Sequence, residues 1–218
     1  GGWCNKASGN CSTIAGGEDN QVQAACGTVG GGRANCACGD YASTIAGGAN
    51  HEVFAENGTI GGGASNVVCA NACEGTIGGG ENNILNSCAG FIGGGDANHV
   101  CGNYSAIGGG QYNRMPVGST YSFIGGGASN CTCGNYSTIV GGNINRNEAG
   151  CSFIGGGTMN LIHPAHSCST ILGSSLSSLS ANMLHTQRLS VSGLPTSNPG
   201  VDGVIWSNNG TLSVGHVV

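Results

Sequence analysis

A β-branched residue followed by a small residue, a glycine pair and an asparagine recurs ten times between Ile14 and Ile154, at intervals of about 15 to 17 residues, and such short-period self-similarity is the mark of stacked structural units. The anchors are Ile14, Val29, Ile45, Ile60, Ile77, Ile92, Ile107, Ile124, Ile139 and Ile154, and Ile171 closes the series on Leu172-Gly173-Ser174. The asparagine falls six places after its anchor at Asn20, Asn35, Asn66, Asn83, Asn98, Asn113, Asn130, Asn145 and Asn160, and five after at Asn50, where one residue reads as missing. From Ile45 onward the intervals form a cassette of three units, as from Ile77 to Ile124 to Ile171. Carried backwards, the register makes Gly1 to Asn5 the second half of a truncated unit, as expected of a fragment or processed product.

A unit of this length is too short for helices and holds two or three short strands. Serine or glycine stands two before every anchor, and strand alternation puts both on one face, so the interior is small, then branched. The other face carries Thr13, Thr28, Thr44, Thr59, Thr76, Phe91, Ala106, Phe123, Thr138, Phe153 and Thr170, either solvated or a seam between chains. The glycines suit the corner where the strand ends, because they accept positive φ and close backbone approach. The asparagines read as a corner ladder. Ten steps of roughly 4.8 Å give a rod of roughly 50 Å. The extra residues of the longer units, within Val67–Thr76, Arg114–Phe123 and Leu161–Thr170, should bulge from one corner, although three-sided turns of one whole cassette remain open. The fold class is all-β: a parallel β-solenoid (β-helix or β-roll) of about eleven coils over residues 1–172.

After Ile171 the asparagine register fails, with Ser177 at the expected phase. Leu172, Leu176, Leu179 and Met183 fit a short helical seam, so residues 173–190 read as a neck or linker. Residues 191–218 read as a C-terminal β module. In it, Val204-Ile205-Trp206 and Leu212-Ser213-Val214 flank an Asn209-Gly210 hairpin turn.

Composition narrows the function. Of 218 residues 45 are glycine and only 7% are charged, so a thick aromatic core is out of reach, while the fixed phase of the anchors argues against disorder. Five lysines and arginines, spread singly, cannot neutralise a phosphate backbone, which excludes a nucleic-acid partner. No apolar run approaches the ~20 residues that cross a bilayer, so no membrane insertion is expected. The 13 cysteines suit an oxidising, extracellular setting. Equal phase makes Cys11 with Cys26, Cys73 with Cys88, and Cys151 with Cys168 candidate cross-coil bridges. The competing reading is that they are small buried hydrophobes.

Ten carboxylates occupy scattered phases, so no acid/base pair is indicated and no catalytic residue is assigned. The glycine triplets lack the Lys-Ser/Thr of a phosphate loop, so no cofactor site is assigned. Cys36-Ala37-Cys38, Cys131-Thr132-Cys133 and His163-Pro164-Ala165-His166 lack the paired spacing of a zinc site, and no metal is expected. Sequons lie at Asn10, Asn57, Asn103, Asn130, Asn135 and Asn209. Tyr104, Tyr121 and Tyr136 share a phase on three successive coils, as trimer-seam packing or a sugar-binding stripe.

The segment Gly193-Leu194-Pro195-Thr196-Ser197-Asn198-Pro199-Gly200-Val201-Asp202-Gly203-Val204-Ile205-Trp206, followed by Asn209-Gly210-Thr211-Leu212, resembles a short module near the ends of phage and other viral tail-fibre and virion structural proteins. The Ile-Gly-Gly-Gly units resemble virus-associated repeats that precede that module. More loosely, they resemble the left-handed β-roll heads of trimeric autotransporter adhesins, whose coils are slightly shorter and carry larger residues where this chain has Ser or Gly. The resemblance implies a homotrimeric, non-enzymatic fibre segment at a virion surface, a rigid spacer and host-attachment element. Its partners would be other virion proteins and a host receptor or glycan. The alternatives are a cell-surface adhesin head and, from the threonine file, an ice-binding solenoid.

Overall fold

Each repeat contributes two strands of two residues, and the second residue of each strand points inward. The computed structural model describes residues 1–187 and, apart from them, the strands Ile205–Asn208 and Thr211–Val214. The anchors lie in one parallel sheet of 12 strands, running from Thr13–Ile14 to Leu184–Thr186. A second strand follows each anchor from Ile14 to Ile154 and buries the side chain eight places on, and these strands with Lys6–Ala7 form a parallel sheet of 11 that ends at Leu161–Ile162. Successive anchors pair directly, as in Ile77 with Ile92 and Ile107 with Ile124. One repeat is therefore one winding, and turns of a whole three-unit cassette are ruled out. Residues 1–187 form an all-β solenoid of about 12 turns without a helix.

The core is one layer thick. Ile45, Ile60, Ile77, Ile92, Ile107, Ile124, Ile139, Ile154 and Ile171 are fully buried from one side; Val22, Ala37, Val53, Val68, Leu85, Val100, Met115 and Ile162 meet them from the other. This second file explains the small residue two before each anchor. A Cβ at Gly75 would lie 2.7 Å from Leu85 Cδ2, and one at Gly58 would lie 2.6 Å from Val53 Cγ1. Where serine replaces that glycine its hydroxyl bonds across the stack. Ser122 Oγ donates to Gly134 O at 2.8 Å and accepts the Ser137 N–H at 3.1 Å, and Ser105 serves Ser122 in the same way at 3.0 Å.

The asparagines form the expected corner ladder. Asn98 Oδ1 accepts the Asn113 N–H and Nδ2 at 3.1 Å each, while Asn98 Nδ2 donates to Gly94 O at 3.0 Å and Gly110 O at 2.9 Å. One amide thus satisfies carbonyls on its own coil and the next, which a buried corner requires. The residue before each ladder position has left-handed φ, from Asp19 at 53° to Met159 at 53°.

Three sequence expectations need correction. Asn50 is not the ladder residue: it occupies the left-handed position (φ 56°), and His51 takes the rung, so no residue is missing there. Ser177 is not the next rung either; Leu176 N–H donates to Asn160 Oδ1 at 3.1 Å, because the last winding is one residue shorter. The stack also does not end at 172. Leu184–Thr186 adds a strand to the 12-stranded sheet, pairing Ile171 with His185, so residues 173–187 form a further coil in place of a helical neck.

The long units bulge as expected. Each closes a tight turn, with Ala72 N–H to Cys69 O at 2.9 Å, Ser119 N–H to Pro116 O at 3.2 Å and His166 N–H to His163 O at 2.9 Å. The C-terminal strands form an antiparallel pair from Ile205 with Val214 to Asn208 with Thr211, the hairpin expected around Asn209-Gly210. The remainder of the Gly193–Leu212 segment and the alternating Leu189–Gly193 stretch lie outside the described residues.

Candidate interaction surface

The outer face of the 12-stranded sheet is built from the residues that flank each anchor. Before the anchor stand Thr13, Thr28, Thr44, Thr59, Thr76, Phe91, Ala106, Phe123, Thr138, Phe153 and Thr170; after it stand alanine, glycine, Val140 and Leu172, and the last strand adds Leu184 and Thr186 to the two files. No Asp, Glu, Lys or Arg occurs in either file, although charged residues punctuate the opposite sheet at Lys6, Glu52, Arg114 and Arg146. The uncharged face divides in two. Its first five rungs are an unbroken run of threonines, paired strand to strand from Thr13 through Thr76. Its later rungs place phenylalanine on alternate coils, with Phe91, Phe123 and Phe153 exposed and Ala106 and Thr138 between them. The Cε1 edges of Phe91 and Phe123 lie 3.4 and 3.5 Å from where a Cβ would stand at Gly93 and Gly125, so each ring rests over a glycine. Rings spaced by two strands, about 9.6 Å, leave gaps one coil wide.

At the adjoining corner the three tyrosines of equal phase stack. The centroids of Tyr104 and Tyr121 are 5.0 Å apart at 8°, and those of Tyr121 and Tyr136 are 5.2 Å apart at 9°. Each sits at left-handed φ, 55° to 56°, which aims the ring along the corner. The stack covers both faces of Tyr121 and one face each of Tyr104 and Tyr136, and all three side chains stay exposed.

The cysteines divide by face. Cys73 and Cys88 are bonded across neighbouring coils, with Cα atoms 4.7 Å apart, as one of the three candidate bridges required. Cys11, Cys26, Cys151 and Cys168 are exposed free thiols, so the other two bridges are not formed, nor are these residues the buried fillers of the alternative reading. Cys36 and Cys38, two apart in one coil, are joined, a bond that sequence spacing does not suggest. His163 and His166 meet edge to face at 5.6 Å and bond instead to Ser177 and Ser178, at 2.9 and 2.8 Å. Among the described residues no three His, Cys, Asp or Glu side chains converge as metal ligands.

Glu81 and Asp96, scattered in sequence, become neighbours in one corner file. Asp96 there accepts Gln111 Nε2 at 2.9 Å and Asn82 Nδ2 at 3.4 Å. Of the sequons, Asn130 is a fully buried ladder rung, whereas Asn10, Asn57, Asn103 and Asn135 are exposed; Asn209 lies outside the described residues. A concavity of 580 Å³, lined by Gly1, Asn5, Ala7 and Ile14 among others, lies at the open end of the first coil. Among the described residues no helix is long and apolar enough to cross a membrane. Set against known protein families and curated proteins, the chain matches none.

Proposed function

We propose that this chain is a non-catalytic structural segment of a virion surface fibre, assembled as a homotrimer through the uncharged face of its 12-stranded sheet. The carrying observation is the alternation of Phe91, Ala106, Phe123, Thr138 and Phe153 on that face. The exposed rings give that face apolar area to bury against two further copies around a common axis, and nothing charged must be desolvated. Backbone pairing runs from coil to coil, and the asparagine ladder accompanies it with His51 on one rung, as a rigid spacer needs. The C-terminal segment that resembles a tail-fibre module supports the same reading, with other virion proteins and a host receptor or glycan as partners. An adhesin head on a cell surface would use the same mechanics.

The test is the mass of the native protein by sedimentation equilibrium. The fibre reading expects three times the 21.3 kDa chain mass, and Phe123→Asp should release single chains. A single-chain mass for the unsubstituted protein, or release of reducing ends from a panel of polysaccharides, would overturn it.

The five in-register threonines favour ice binding as a second reading. The neighbouring outward file is Ala15, Gly30, Ala46, Gly61 and Gly78, so a second hydroxyl row is missing. Thermal hysteresis in solutions of the protein separates the two readings.

A further inference from the structure

The outer face of the 11-stranded sheet holds a second Cys-x-Cys pair that neither the spacer nor the seam uses. Cys131 on the strand Cys131–Thr132 and Cys133 just after it are half-buried, while Thr132 between them is fully buried. Their sulfurs are 3.5 Å apart. In register on the flanking strands stand Arg114 on one side of Cys131 and Arg146 on the other. The backbones of two arginines thus flank Cys131 at one strand spacing, about 4.8 Å each way, and both charges act on the sulfurs. Arg146 also pairs with Glu148, which stands beside Cys133 on the following coil. The pair Cys36 and Cys38 occupies the same positions relative to its anchor and is bonded, with Cα atoms 5.4 Å apart. Two residues on this face can therefore close a disulfide without a change of coil.

We propose that Cys131 and Cys133 are a thiol–disulfide exchange site for small anionic disulfides, with Arg114 and Arg146 drawing the anion to the sulfurs. Cys133 thiolate attacks one sulfur of R–S–S–R, forming a mixed disulfide and expelling RS⁻. Cys131 then attacks Cys133 Sγ and expels the second RS⁻, and the two protons given up by the cysteines end on the two released thiols. Two protein thiols are oxidised to one disulfide while R–S–S–R is reduced to two RSH. The roles follow from the surroundings. Cys133 shares a hydrogen bond with Cys131 and feels the charges of Arg146 and Arg114, which together hold it at about 7 against burial and the Glu148 charge. Cys131 is held high mainly by that same bond and by burial. Formation of the mixed disulfide removes the bond and frees Cys131 to resolve it.

The test incubates the full chain with glutathione disulfide across pH 5 to 9, quenches with iodoacetamide, and reads each cysteine by peptide mass spectrometry. At pH 7 a thiol held near 7 is about half ionised against ~3% for an ordinary one, but is intrinsically less nucleophilic. The net expectation is a rate about threefold above a single-cysteine peptide, with an inflection near pH 7. The product should be a bond between Cys131 and Cys133. Cys131→Ser should trap glutathione on Cys133, and Arg114→Gln should slow glutathione disulfide more than neutral hydroxyethyl disulfide. A rate no faster than the peptide, a lasting mixed disulfide on the unsubstituted chain, or equal slowing of both disulfides would overturn the proposal. The first two readouts need no variant, so a folding defect cannot mask them.

Discussion

His51 accepts the backbone N–H of Asn66 on its Nδ1 at 3.2 Å, and so stands in a ladder otherwise made of asparagine. Its own N–H still donates to Asn35 Oδ1 at 3.1 Å, but its buried Nε2 has no hydrogen-bond partner. An imidazole fills the rung without reproducing the two carbonyl contacts an asparagine amide makes. Burial lowers the His51 pKa, with the backbone of Gly63 and of Asn66 opposing it. Because the folded value lies below the unfolded one, protonation favours unfolding. The stability due to neutral His51 is complete above about pH 6.5 and is lost as pH falls through the folded value. His99, lowered by burial and then by Arg114, acts in the same direction. His51→Asn should raise the melting temperature at pH 7 and flatten its fall as pH drops below about 6.5. An unchanged pH profile would show that His51 is not held neutral.

The third glycine of each triplet is fixed by space as well as by φ. At Gly110, with φ 89°, a Cβ would collide with the Gly127 carbonyl oxygen and lie 2.9 Å from Asn113 Nδ2. At its neighbour Gly109 the nearest atom would be 3.9 Å away. Gly110→Ala should cost about 3 kcal/mol or more, while Gly109→Ala should cost less than about 1 kcal/mol. Urea unfolding of the two variants measures the contrast, and equal losses would contradict the corner geometry.

Much of this is legible in the sequence because one residue type holds one phase. The anchors, the inward small residues, the asparagine ladder, the bulges and the Cys73–Cys88 bridge follow from that regularity. The second inward file is not legible in the same way, although it keeps a constant offset from every anchor. It mixes Val, Ala, Leu, Met, Thr, Asn and Ile, and volume rather than identity is what the narrow interior selects. His51 escapes the pattern for a related reason: a rung needs an acceptor for the next N–H, which imidazole supplies as well as an amide. The last coil escapes it because Leu184-His185-Thr186 has neither anchor nor glycine triplet. Its pairing comes from the exposed edge of the strand beneath.

Within that mixed file, Thr132 buries a hydroxyl with no hydrogen-bond partner. Thr132→Val keeps the shape and matches Val22, Val53, Val68 and Val100 in the same file. It should stabilise by about 1 kcal/mol, a rise of a few degrees in melting temperature. A calorimetric decrease would mean the hydroxyl is satisfied in solution.

The bridge between Cys73 and Cys88 closes one coil onto the next, at a sequence separation of 15. Constraining the unfolded chain over such a loop contributes about 3 kcal/mol. Replacing both cysteines with serine should lower stability by that order, whereas replacing the exposed Cys11 and Cys26 should change it by less than about 0.5 kcal/mol. Equal effects would place the stabilisation elsewhere.

The whole solenoid depends on each winding lying directly on the next through paired backbone and asparagine side chains. Proton–proton contacts in the isotope-labelled protein, read by NMR at Asn98 and Asn113, report on that stacking without an intermediate. The expected result is contacts from the Asn113 backbone and side-chain amides to Asn98, one coil earlier, with slow solvent exchange at both. Contacts linking residues three repeats apart, or side-chain amides that exchange as fast as free asparagine, would contradict it.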